Sequence, residues 1–193
     1  MGINTGEAEK TGIFESPRQA AAGDGRDLVL GGAIVLVQFN DPIGKILSNP
    51  APTPFVLDGV TLASVEAFIQ GIKFSGTTSE GARVFGLYGL EAKHAGRAVS
   101  VEIAQRREKF ESASVYWKGE EIPFGSDRHL NLIERAIAAK FKQNPDAAGA
   151  LVSTGNALLI HPIPNAPHTS LKAEEFVRIL MLIRSDLATP PAA

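Results

Sequence analysis

Apolar and polar positions along this 193-residue chain fall into runs with distinct periods. Residues 28–39, LVLGGAIVLVQF, are almost continuously apolar and predict one or two strands, with Gly31-Gly32 as a break or bulge. Residues 41–54, DPIGKILSNPAPTP, carry four prolines and read as a loop. In FVLDGVTL, 55–62, two apolar runs flank Asp58-Gly59, which is a hairpin signal. The period then changes. Along SVEAFIQGIKF, 64–74, Val65, Phe68, Ile69 and Ile72 share one helical face, and Ser64 is placed to cap the first turn.

Residues 79–109 predict helix interrupted at Gly81, Gly86, Gly89 and Gly96, the last suited to a C-cap. SVYWKGEEIPFG, 114–125, carries a short strand or an irregular turn. The strongest helix spans 127–141, with Leu130, Ile133, Ile137 and Phe141 on one face and Asn144-Pro145 to stop it. Pro145 suits the first turn of a further short helix reaching about Val152. A final helix runs from about Ser170 to Leu187, turning Phe176, Leu180, Ile183 and Leu187 inward, with Glu174 and Glu175 near its positive end. Helices outnumber strands and the two do not alternate. The fold class expected is therefore α+β, a single helix-rich domain with a small antiparallel sheet. Residues 28–187 form that domain. Residues 1–27 read as an arm, flexible or contacting another subunit, and 188–193 as a tail.

Composition narrows the chemistry. With 44% hydrophobic and 21% charged residues, the chain can bury a core without metals or disulfides. It has no cysteine, which excludes disulfides, thiolate metal sites and cysteine nucleophiles. A net charge of −2 gives no general attraction to nucleic acid. The N-terminus lacks the pattern of a secretory signal, and no apolar run approaches the roughly 18 residues that span a membrane. A cytoplasmic protein without a cofactor or membrane attachment is expected by exclusion.

The helix at 64–74 holds the most informative polar pattern. Glu66, Gln70 and Lys73 stand at i, i+4 and i+7, one stripe opposite the apolar face. A carboxylate, an amide and an ammonium on one wall suit a polar ligand and an activated water. Glu66 also lies in the first helical turn, where an acid simply favours the macrodipole. His161 and His168 are too far apart in a proline-rich loop to form a recognisable metal motif. The run QRREKF, 105–110, mixes both charges and reads as a solvated helix face.

These segments in order resemble one family. LSNPAP (47–52), a short hairpin, and then SVEAFIQGIKF are similar to the opening of the YbiA-like N-glycosidases of the NADAR superfamily. AKHAGR (92–97) resembles that family's following Gly-Arg element, AIAAKFKQNPDAAGALVSTGNALLIH (136–161) its Ala-Lys-Phe-x-Gln-Asn-Pro segment and Thr-Gly turn, and FVRILMLIR (176–184) its closing helix. The resemblance covers roughly Ile43 to Leu187.

It implies a hydrolase of N-glycosidic bonds in a ribosyl-phosphate-containing nucleotide intermediate or an ADP-ribosyl conjugate. Its partner would be a small nucleotide or ADP-ribose-like ligand. By the same resemblance Glu66 is the catalytic acid or base, and Asn49, Gln70 and Lys73 line the substrate pocket. Trp117 would stack on a base, or else is an ordinary partly buried aromatic. Arg97 would clamp phosphate, or else caps the preceding helix. The chain departs from the family in one stretch. Where these enzymes carry an Asp-x-x-Trp-Gly element, it reads HPIPNAPHTS (161–170), with Asn156 after the Thr-Gly turn and His161 where a glutamate is frequent. His161 and His168 read as surface or rim residues, or else His168 enters the pocket and meets the substrate. Two further readings stay open: a catalytically silent nucleotide or ADP-ribose binder, and an assembly protein that uses the same fold, oligomerising through its arm.

Overall fold

In the computed structural model, residues 33–36, 41–75, 79–109 and 111–189 are described. The arm expected at 1–27, the Gly31-Gly32 break and the end of the chain lie outside them. α1 (Pro42–Leu47) occupies part of the segment expected to be loop. The physical reason is at its start. The Asp41 carboxylate accepts the Ile43 and Gly44 N–H groups at 3.1 Å each, and Pro42 sits in the first turn, where its missing N–H costs nothing.

β2 (Phe55–Leu57) and β3 (Val60–Leu62) form the expected hairpin, turning through Asp58 (φ 49°) and Gly59 (φ 82°). β4 (Ser114–Trp117) and β5 (Glu120–Pro123) form a second hairpin of the same design, turning at Lys118 (φ 50°) and Gly119 (φ 84°). The third pair is parallel: β1 (Ala33–Val35) lies beside β6 (Leu158–Ile160). Among the described residues the strands thus form three separate two-stranded pieces, two antiparallel and one parallel.

Helices supply the frame. α2 (Val65–Gly71) starts at Ser64, whose hydroxyl accepts the Ala67 N–H at 3.0 Å. The interrupted stretch resolves into α3 (Ser79–Phe85), α4 (Gly89–Ala95) and α5 (Arg97–Glu108), with Gly96 closing α4 and opening α5. α6 (Asp127–Gln143) packs against α2, β2, α7 (Pro145–Ser153) and α8 (Ala173–Ala188). Ile133, Ile137 and Phe141 are fully buried there, as their spacing predicts, and Phe176 and Leu180 of α8 meet the same core. Leu187, expected to face inward, is 37% exposed, because α8 has run past the core by its last turn. None of the described helices is long and apolar enough to cross a membrane.

Candidate functional site

The floor of the site is the polar stripe of α2, and its first support is the turn after α1. Lys140 of α6 is buried and donates to the carbonyls of Ile46 (2.8 Å), Leu47 (3.2 Å) and Ser48 (2.8 Å) at the C-terminal end of α1. The next carbonyl, that of Asn49, accepts the Glu66 N–H at 2.9 Å. Pro50 C=O accepts the Gly89 N–H at 2.9 Å, which ties the same turn to α4. Asn49 and Glu66 are therefore fixed to each other through backbone, with Lys140 beneath them.

Along the stripe, polar atoms are linked in one direction. The Lys73 ammonium donates to Gln70 Oε1 at 2.9 Å and to Ser100 Oγ at 2.8 Å, and the Ser100 hydroxyl donates onward to Gly96 C=O at 2.8 Å. An ammonium has no acceptor, so the Gln70 oxygen must face Lys73 and its NH₂ must face the other way. That NH₂ donates to Glu66 Oε1 at 2.7 Å. The relay needs close approach of helices: a Cβ at Gly96 would fall 1.9 Å from Gln70 Oε1. Burial lowers the Lys73 pKa to about 8, with Glu66 opposing the shift, so the group is still protonated at neutral pH.

Around this floor lies a cleft of about 390 Å³. It brings together Asn49, Glu66, Gln70, Lys73, Arg97 and His168, six of the seven residues that the sequence points to. Gln70 and Lys73 are only 8% and 5% exposed, and their polar atoms are committed to each other and to Glu66 and Ser100. Glu66 is half-buried, and its second oxygen has no partner among the described residues.

Trp117 is the exception and needs correcting. It does not line the cleft. Its ring is 6% exposed, packed edge-on against Phe68 and Phe85 at 5.1 and 5.9 Å between centroids. Its indole N–H donates to Asp58 Oδ2 at 2.9 Å, which anchors the ring in this packing. That bond, together with Arg135 and Lys118, holds the Asp58 carboxyl below its ordinary value against a smaller burial effect. Asp58→Asn is expected to cost about 1 kcal/mol at neutral pH, a charge-assisted bond discounted for its partial exposure. Since the folded pKa is depressed, this contribution is present above the ordinary value of 3.8 and lost as pH falls through the lower folded one. Paired urea melts at pH 7 and at acid pH below 3.8 check it, the difference between variant and parent narrowing toward the acid end.

Sequence reasoning missed several neighbours in the cleft. Lys93 and His94 stand beside the expected Arg97 on one wall, all three exposed and without ion pairs or hydrogen bonds among the described residues. Lys93 is four residues before Arg97 across the α4–α5 junction, a spacing that could have flagged it too. Arg97 opens α5 instead of capping α4. The opposite wall is the loop 161–171, which is tied down by Asn165: its side chain accepts the Ala173 N–H and donates to Glu174, both at 3.1 Å, capping α8 from eight residues upstream. Ser170 in this wall has a shielded hydroxyl without a partner. His161 stands at the base of the loop, its Nδ1 3.0 Å from the Leu36 carbonyl and its ring edge-on to Phe176 at 5.1 Å. Lys73, Lys93 and Arg97 thus set three cations against one carboxylate in the cleft, in a chain whose overall charge is −2.

Comparison with known proteins agrees with this architecture. The family model described as bacteriophage protein GP30.3 matches residues 42–185, which include every cleft residue named here. An uncharacterised 17.1 kDa protein from the Gp30–rIII intergenic region of Enterobacteria phage T4 is 34% identical over 146 residues, covering 73% of this chain and 90% of that protein. The NMR structure of the Escherichia coli protein YbiA superposes with a TM-score of 0.55 at 20% identity, covering 81% of this chain and 84% of that one. The chain belongs to the bacteriophage GP30.3 family, a divergent branch with the NADAR, YbiA-like fold.

Proposed function

We propose that this protein hydrolyses an N-glycosidic bond in a ribosyl-phosphate-containing nucleotide or an ADP-ribosyl conjugate. The observation that carries the reading is the relay from Lys73 through Gln70 to Glu66, which aims one carboxylate into an otherwise cationic cleft. Cleavage of such a bond develops positive charge at the anomeric carbon, and a fixed carboxylate is the group that stabilises it. Lys93 and Arg97 suit the phosphate of the same ligand, Arg97 through its planar fork. A cleft of about 390 Å³ falls within the range that encloses small ligands.

A second reading has its own support. Among the described residues lining the cleft Glu66 is the only acid, whereas glycosidases of the paired-acid type use two. A protein of this kind that has lost turnover would still bind the ligand.

One experiment separates them. Calorimetric titration with ribose 5-phosphate and ADP-ribose is run beside a chromatographic assay for base release from N-ribosides. Binding of both phosphates is expected, weakened about tenfold by Lys93→Ala or Arg97→Ala and further by salt. Base release establishes the hydrolase. Binding without release establishes the silent receptor, and the absence of both overturns the ligand class itself.

A further inference from the structure

The geometry points to His161 as the catalytic base that takes the proton of the attacking water, in a cleft where no second carboxylate is present among the described lining residues. This inference rests on the glycosidic reading above and deepens it.

The argument begins with the tautomer. A carbonyl only accepts, so the 3.0 Å contact between His161 Nδ1 and Leu36 O puts the ring proton on Nδ1. Nε2 is then the lone-pair nitrogen. It has no partner among the described residues, and it is not among the polar atoms sealed from solvent. The ring cannot easily rotate out of this arrangement, because Phe176 of α8 meets it edge-on at 5.1 Å. His161 therefore brings to the cleft one oriented basic lone pair besides the Glu66 carboxylate. His168, in the same loop, has no comparable hydrogen bond or ring contact among the described residues to hold it.

The charges around the ring suit a base. Glu66 of α2 favours the protonated form and Lys93 of α4 opposes it; Phe176 contributes no charge. Burial is the largest influence and holds the ring below its ordinary value of 6.5, so it is neutral at pH 7 and able to accept. Once protonated, the imidazolium keeps its bond to Leu36 and gains from Glu66. The step balances without a co-reactant beyond water. The water oxygen bonds to the anomeric carbon while its proton goes to Nε2. The C–N bond breaks, its electron pair leaves on the base nitrogen, and solvent carries a proton back to that nitrogen.

His161→Asn is the variant of choice, since an amide nitrogen can replace Nδ1 and keep the Leu36 bond while supplying no base. The wild-type kcat is expected to fall on the acid side with an apparent pKa below 6.5. His161→Asn should lower kcat about a hundredfold, flatten that limb and leave ribose 5-phosphate binding within about twofold. His168→Asn should keep the limb. Nitrogen-15 NMR of the wild type should show a protonated Nδ1 and a bare Nε2 whose shift moves on addition of ribose 5-phosphate. Undiminished kcat with an intact acid limb in His161→Asn overturns this inference alone, as does an NMR spectrum with the proton on Nε2. A wild type that binds the phosphate but releases no base overturns the glycosidic reading itself, and the base role with it.

Discussion

Glu66→Gln is expected to cut base release by a factor of about 10² to 10⁴ while leaving the fold within about 1 kcal/mol of its parent. The two halves of this expectation have separate causes. The substituted amide is nearly isosteric, and its oxygen can still accept the Gln70 NH₂, so the relay from Lys73 keeps its direction. The backbone bond from residue 66 to Asn49 C=O is untouched. What disappears is the negative charge facing the anomeric centre, and the described cleft lining has no other carboxylate to replace it. Single-turnover rates and thermal melts on the same preparations read the two effects apart. If Glu66→Gln melts as early as a cavity variant such as Phe141→Ala, expected to lose about 3–5 kcal/mol, Glu66 is a structural acid serving its helix. Retained turnover would remove it from the chemistry altogether.

How much of this was legible in the chain depends on whether the information is local. Asp58-Gly59 announces its turn because both residue types tolerate positive φ, and the helices at 64–74 and 127–141 announce themselves through period and caps. The second hairpin was harder. Lys118 adopts φ 50° at the same turn position as Asp58, against its own preference, and its ammonium donates to Asp58 C=O at 2.7 Å in the neighbouring turn. Support of that kind is tertiary and leaves no trace in nearby sequence. The parallel pairing of β1 with β6 joins segments more than 120 residues apart and is invisible for the same reason. α1 was legible in principle, since Asp-Pro is a helix start as well as loop punctuation.

The site divides along the same line. The Glu66–Gln70 pair follows from helical spacing and the ammonium of Lys73 sets the direction of the hydrogen bonds, but Lys73 stands just past the end of α2 and is held there by Ser100, 27 residues away. Trp117 shows the converse error. A lone tryptophan near a candidate pocket looks like a stacking platform until its ring is seen to be buried against Phe68 and Phe85 and anchored by Asp58 from the other hairpin. Lys140 went unread although its spacing is informative. It lies seven residues after Ile133 and three after Ile137, on the buried stripe of α6, which is apolar apart from His129 at its start.

That position gives Lys140→Met its expected effect, a loss of about 3–5 kcal/mol and a melting temperature lower by roughly 6–15 °C. Methionine fills nearly the same volume, so cavity formation is not the cause. The cause is that the Ile46 and Leu47 carbonyls lose their donor, and Ser48 is left with the Ala51 N–H at 3.3 Å, in a place that solvent barely reaches, Lys140 being 1% exposed. The pH dependence has a definite sign. Burial depresses the Lys140 pKa from 10.5 to about 7, so between those values the unfolded chain holds the extra proton. Stability from this group therefore rises with pH through that window, and the slope should be missing in Lys140→Met. The loss should also reach the cleft before the protein unfolds. Asn49 C=O is the acceptor of the Glu66 N–H, and it follows directly on the carbonyls that Lys140 gathers. Ribose 5-phosphate binding measured well below the melting temperature is expected to weaken severalfold in Lys140→Met, and amide exchange at Glu66 to accelerate. Unchanged exchange at Glu66 together with a lowered melting temperature would confine Lys140 to the stability of α1 and detach it from the site.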